Sequence, residues 1–476
     1  MTQHESVDAL AGTVEDACRR AAGSPGVDAY DVRGASHEDL TCVLRSGRVS
    51  GGASNARGGI GVRVFCGAGV GFASTVDLEP EAVRAAVDGA VRLARANAQR
   101  RWRSFAPAMG GARRASYRPA VRGDPHEVGR ERIAALLERA ADGARDAAPD
   151  ANVVAQFGSR RDRWILADSA GSSIETGSLL STLLVKPFVK EGSHVGDATE
   201  WRSGERGVDD FETDGGPEEL GRLAGRLALE ALHAGPAPPG RHRVMTDPEL
   251  TGLLAHESFG HLTEYDLVAP GWSVLDGRLG ERLGAPAVTI RDAPVVDGGA
   301  RQGVAVPIDQ EGLRGSTVTL LDRGVLAGWM HVRDSARTVD HAPTGNGRAL
   351  YVTHPPIVRM SNTFIEAGHL SFEEVLEDVK DGVYAVGSRG GQVDTAKGSF
   401  QFSAQEAYRI KNGQLAGPLR DVSLTGFTLE TLANIDAVSN EWALGDPGYC
   451  GKGQYVPVGD GGPHLRIRNA IVGGSA

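Results

Sequence analysis

Apolar and polar positions along this chain follow two different rhythms. Over residues 7–22, and again from Asp77, apolar residues recur every three or four positions, which predicts helices. In the second of these, Pro80 stands in the first turn, and Val83, Ala86, Val87, Ala90, Val91 and Ala94 make one apolar stripe. Between the two helices the apolar runs are short. They predict strands at 28–32, 40–44, 61–65 and 69–73, separated by turns such as Gly51-Gly52-Ala53-Ser54-Asn55.

Residues 101–126 break the pattern. Pro107, Gly110, Gly111, Pro119 and Pro125 stand there among many arginines, and an extended linker is expected. A helix over 127–147, strands at 153–157, 163–167 and 179–186, and a helix over 217–233 follow. Pro236-Ala237-Pro238-Pro239-Gly240 cannot continue that helix and reads as a domain boundary. Beyond it comes one early helix, then many short strands and glycine-rich turns, with a helical stretch at 371–379. The expected fold class is α+β. An N-terminal sheet-and-helix region (1–100), the linker (101–126) and a central α+β region (127–235) precede a β-rich C-terminal domain (236–476) carrying the early helix.

The length, 476 residues, exceeds one ordinary core. Aromatic residues are only 5%, so the cores should rest on Val, Leu, Ile and Ala; 65 glycines suit a sheet-rich fold. The formal charge of -10 argues against nucleic acid as a main partner. Cys18, Cys42, Cys66 and Cys450 are irregularly spaced, which does not suggest a disulfide framework; the first three are expected to be structural. The first ten residues have neither a basic nor an apolar segment of a signal peptide, and no apolar run is long enough to span a membrane. A soluble cytoplasmic protein is expected.

The early helix carries the chemistry. Asp247 reads as its N-cap and Pro248 as its first residue, which puts His256-Glu257-Ser258-Phe259-Gly260-His261 about two turns in. Two imidazoles and an adjacent carboxylate are the minimum for a metal-activated water. The histidines are five apart, so on an ideal helix they diverge by roughly 140°. Both reach one metal only if the helix bulges or ends between them, and Gly260 would permit that distortion. A catalytic zinc takes three protein ligands and one water. With Glu257 assigned as general base, Cys450 in Tyr449-Cys450-Gly451-Lys452-Gly453-Gln454 is the candidate third ligand. The reading is a His2Cys zinc site of a peptidase.

Separated segments in this order resemble the TldD/PmbA family of metalloproteases, specifically its catalytic TldD-type subunit. They are residues 58–65 and 69–75, His256-Glu257-x-x-Gly260-His261, residues 359–365, 448–454 and 472–474. The resemblance implies zinc on His256, His261 and Cys450, with Glu257 as base. It implies a dimer, in many bacteria a heterodimer with a homologue lacking HExxxH, and cleavage of unfolded or small peptides. Alternatives are a pathway-specific amide hydrolase in natural-product or modified-peptide maturation, or a non-catalytic partner subunit. One residue is missing before the last glycine of the Cys450 turn, compared with the subfamily pattern. Among weaker candidates, Arg359 and Asn362 would shape a substrate channel or stabilise a turn. His354 would donate to an oxyanion. Tyr265 and Asp266 would support the ligands from behind.

Overall fold

The structure is a computed structural model that describes residues 3–99, 109–213, 215–296 and 303–473. Helix α1 (Gln3–Ala22) leads into two long strands, β1 (Ala29–Arg45) and β2 (Arg48–Cys66), then β3 (Gly69–Thr75) and helix α2 (Pro80–Ala98). The apolar stripe expected on α2 is its buried face, residue for residue. After β4 (Arg114–Tyr117) and α3 (Arg130–Ala147) come β5 (Asn152–Asp168), β6 (Ser173–Glu191), β7 (His194–Asp197), β8 (Glu200–Gly204) and α4 (Gly216–His233).

These strands form one sheet in the order β3-β2-β1-β5-β6-β4, with β7 and β8 paired to β6. The regions 1–100 and 127–235, read from sequence as separate domains, therefore share a sheet: β1 and β5 are antiparallel from Asp31↔Asp168 to Arg45↔Val154. Within the expected linker, residues 100–108 lie outside the described residues, and β4 runs parallel to β6. The Gly51–Asn55 stretch is strand, not turn, with Gly52 opposite Cys42 and Ser54 opposite Leu40. The turn is at Ser46-Gly47, both with positive φ. Likewise the two strands expected at 28–32 and 40–44 are one. The polar residues between them resembled a loop because part of that stretch faces protein: Arg33 and His37 are buried.

Helices α3 and α4 cross one face of this sheet in close contact, over a core including Leu136, Leu137, Phe157, Leu183 and Leu220. Glycine sets their approach. A Cβ on Gly221 would stand 2.0 Å from Ala140 O.

The C-terminal region builds a second, thirteen-stranded sheet, so the fold is α+β with a β-rich C-terminal half. Its strands used below are β9 (Gly240–Thr246), β10 (Asn362–Ile365), β11 (Asp381–Asp394), β12 (Ser399–Lys411), β13 (Gly448–Gly451) and β14 (Tyr455–Gly473). β9 lies between β14, antiparallel to it, and β11, parallel to it. Helix α5 (Pro248–Ala255) follows β9 and packs on β14. The first sheet closes over this half through buried polar contacts. Arg63 joins Asp31 (2.7 Å) to Glu311 (2.6 Å), Arg33 donates to His354 O (3.0 Å) and Arg160 to Leu350 O (2.7 Å). No described helix is long and apolar enough to cross a membrane.

Replacing Gly221 by Val should force α3 and α4 apart and cost about 3 kcal/mol, the upper range for overpacking. Urea unfolding followed by circular dichroism reads this as a lowered midpoint; an unchanged midpoint would show that the helices are not in contact here.

Candidate metal centre

The chain enters α5 as its sequence dictates. Asp247 caps the helix by accepting from Leu250 N at 2.9 Å, and Pro248 fills the first position. After Ala255 the helix widens into a π-turn over His256–Gly260 and then tightens to a 3-10 turn over His261–Thr263. That widening is the distortion the five-residue spacing requires. It sets the two imidazoles edge to face, with ring centres 5.1 Å apart. Gly260 serves differently from the expectation. Its backbone is ordinary right-handed helix, but a Cβ there would stand 2.1 Å from Met360 Sδ. Gly260 is needed for close approach, not for an unusual backbone angle.

Cys450 arrives from far along the chain. β13 and β14 form a hairpin with Cys450 opposite Val456, turning at Gly453 with φ 67°. The thiol comes within 3.0 Å of His261 Nε2. One donor atom from each of His256, His261 and Cys450 lies within 4.8 Å of the others, and all three residues are buried.

The surroundings fix both sides of this cluster. His261 Nδ1–H donates to Glu264 Oε2 at 2.6 Å, which leaves Nε2 as the free donor atom facing Cys450. Lys452 Nζ lies 3.3 Å from Glu264 Oε2 and 2.7 Å from Asp266 Oδ1. Arg359 Nε is 3.6 Å from Glu264 Oε1, and its Nη atoms donate to Cys450 O (2.8 Å) and Gln454 O (2.6 Å). Glu257, half-buried, has its carboxylate 3.9 Å from His261 Nε2.

Charge follows from this packing. Burial opposes ionisation of Glu264, but Lys452, His261 and Arg359 overcome it and hold the carboxyl at about 2. Burial also opposes charge on Cys450 and His261. The imidazoles outweigh it at the thiol, which falls to about 5; Glu264 and Cys450 outweigh it at His261, which rises to about 10. For Glu257 burial dominates and pushes the carboxyl up. Two imidazoles and a thiolate converging in this way fit a tetrahedral metal with one open position, the donor set of a catalytic zinc.

The weaker sequence candidates separate clearly. Arg359 steadies the Cys450 hairpin and Asp266 steadies Lys452. Asn362 is consumed by Ala293 O, Val304 O and Val304 N–H, each at 2.8 Å, so it holds a loop rather than a channel. His354 lies beside Tyr351 at the contact with the first sheet, bonded to Thr353, and does not line the cleft that reaches the metal cluster. Tyr265 packs on His331 and Trp329. Cys42 and Cys66 are buried in apolar clusters, and Cys18 packs against one of them. Glu264, Lys452 and Met360 escaped the sequence reading. Only Glu264, three residues after a ligand histidine, left a spacing signal.

Comparison with known proteins places this site. Residues 239–474 match the model of the PmbA/TldA metallopeptidase C-terminal domain, and residues 30–94 match domain 1 of the same family. A metalloprotease of Methanocaldococcus jannaschii is 36% identical over 443 residues, 92% of this chain and 96% of that one. The chain belongs to the TldD/PmbA family. A metalloprotease of Methanothermobacter thermautotrophicus is 46% identical over 65% of this chain and 66% of its own length. A zinc metalloprotease TldD homolog of Saccharolobus solfataricus is 33% identical over 67% of this chain and 68% of that one. TldE from Thermococcus kodakarensis shares the fold, with a TM-score of 0.76 at 17% identity, covering 97% of this chain and 100% of that chain.

Between about pH 9 and about pH 6, a metal such as zinc must displace the proton that His261 carries in the metal-free chain, and towards the lower end that of His256, whose pKa is also raised, while Cys450 is already thiolate. Zinc affinity should therefore fall at least about tenfold for each pH unit lowered. In the same titration Glu264→Gln should weaken binding by about 10–100-fold, the usual effect of losing a ligand's supporting carboxylate. A flat pH profile would show that His261 does not bind the metal, and an unaltered variant that Glu264 does not support it.

Proposed function

We propose that this chain is a zinc-dependent peptidase that hydrolyses peptide bonds of unfolded or small peptides. The observation that carries this is the convergence of His256, His261 and Cys450 within 4.8 Å beside the Glu257 carboxylate. Membership in a metallopeptidase family supports the reaction class, and the printed name of the Saccharolobus solfataricus relative supports zinc.

His256, His261 and Cys450 would hold the metal. Zinc bound there supplies Lewis acidity that makes water nucleophilic near neutral pH. Glu257 acts as general base, taking the proton of the attacking water and passing it to the leaving amine. Its half-buried position pushes its pKa up towards the range in which it can both accept and return a proton. The peptide lies in the cleft between the two sheets. That cleft is lined by Thr182 and Leu184 of β6, Trp201 of β8 and Gly448 and Tyr449 of β13. The chain works as a dimer, a reading supported by the resemblance to TldD-type subunits.

The test is Glu257→Gln. This variant should bind zinc as wild type does and lose peptide hydrolysis by about 100-fold or more, the scale of a general base. Elemental analysis and a fluorogenic peptide assay read the two quantities. Full turnover in the variant would remove Glu257 from the mechanism.

A further inference from the structure

The cleft reaching the metal cluster has an acidic wall that the hydrolytic chemistry does not use. The cleft, about 590 Å³ and open to solvent, runs from His256, Glu257 and Cys450 along α5 to Glu249, beneath β6 and β8. Asp460 of β14 lines it. A Cβ on Gly252 would come within 2.6 Å of Asp460 Oδ1, so this carboxylate lies against α5 one turn before His256. Glu249 is seven residues before His256, about 10 Å along the helix. Asp446 lines the same cleft, and Glu249 feels the charge of Asp460.

This row, Asp460 and Glu249, is built in and uncompensated. Ser388 N donates to Glu249 Oε1 at 3.1 Å, and Gly387 N to Asp247 Oδ1 at 3.1 Å, so β11 fixes its far end. The Asp460 carboxylate accepts no hydrogen bond from the described residues, and neither it nor Glu249 forms an ion pair with a described lysine or arginine. The two cations lining the cleft are engaged elsewhere. Lys186 Nζ is 3.4 Å from Asp197 Oδ2, and Arg389 donates to Asp197 O and Gln405 Oε1, each at 3.1 Å. Burial, then repulsion from neighbouring carboxylates such as Asp247 and Asp460, pushes Glu249 up to about 8, and a cation seated against it favours the ionised form. A metal ion is a poor match for the row. Among the described residues, the converging His, Cys, Asp and Glu donors are His256, His261 and Cys450, and the acidic residues of the wall do not join them. A strung-out line of carboxylates suits an elongated organic cation.

We propose that Asp460 and Glu249 form a subsite for a cationic group of the substrate, an ammonium or guanidinium, within about three residues of the bond cleaved. The distance follows from about 10 Å of helix and about 3.3 Å per residue of extended peptide. This rests on the peptidase reading above. The group has two sources, a free N-terminus or a Lys or Arg side chain.

Binding separates the subsite from the reaction. The zinc-loaded Glu257→Gln chain is titrated, by fluorescence anisotropy, against short peptides labelled at the C-terminus. One carries a free N-terminus and a lysine, one is N-acetylated, one has norleucine for lysine, and one has both changes. The doubly neutral peptide should bind at least about tenfold more weakly than the doubly cationic one, and the two intermediate peptides identify which cation is read. Adding Glu249→Gln and Asp460→Asn should erase the difference. Raising sodium chloride from about 0.05 M to about 0.5 M should shrink it in the chain with an unaltered wall, a check that does not depend on how those variants fold. Equal binding of all four peptides, no binding of any, or a preference indifferent to both salt and the variants would overturn the subsite. Wild-type hydrolysis of the same peptides is measured in parallel. Cleavage without preference leaves the peptidase and removes the subsite; preference without cleavage does the reverse.

Discussion

Glu264 has no exposed surface, and it stays ionised because His261, Lys452 and Arg359 face it. Those three come from different parts of the chain. His261 opens the 3-10 turn that follows the π-turn, Arg359 precedes β10, and Lys452 sits in the turn between β13 and β14. Arg359 in turn grips the carbonyl of Cys450. The helix with two ligand histidines and the hairpin with the thiol are therefore joined through one carboxylate. Removing it would leave buried Arg359 with backbone carbonyls alone and Lys452 with Asp266 alone, a loss of several kcal/mol in comparable buried networks. The metal cluster's geometry rests on this ion network as much as on the backbone.

The first sheet has a different task. Its polar inner face, with Arg33, Arg63 and Arg160, is buried against the 303–360 segment rather than against water. It thereby covers the metal cluster on one side and leaves a cleft wide enough for extended peptide. One end of that cleft presents His256, Cys450 and Glu257, the proposed metal ligands and base, and the wall along α5 presents carboxylates. The proposed hydrolytic centre and the proposed charge-reading surface thus share a single helix.

Much of this was legible in the sequence, for stated reasons. The α2 stripe, the Asp247 cap and the need for a bulge between His256 and His261 follow from helical periodicity and local hydrogen bonding, which the chain carries within a few residues. What failed to show was long-range. The merging of two N-terminal regions into one sheet depends on β1 meeting β5 more than a hundred residues later. The Gly51–Asn55 strand is held by its partner rather than by its own propensity. Lys452 and Met360 belong to the site only because the hairpin and the π-turn meet, and Asn362 proved to be a loop anchor.

The central claim is that His256, His261 and Cys450 hold one zinc ion. Its most direct test is the metal content of the purified chain by elemental analysis, comparing wild type with Cys450→Ala after identical purification in zinc-supplemented medium. The account predicts about one zinc per chain in wild type, as a three-ligand catalytic site requires, and its loss in the variant. Full zinc in Cys450→Ala would mean that the third ligand is another residue. Wild type without zinc would contradict the metal centre itself.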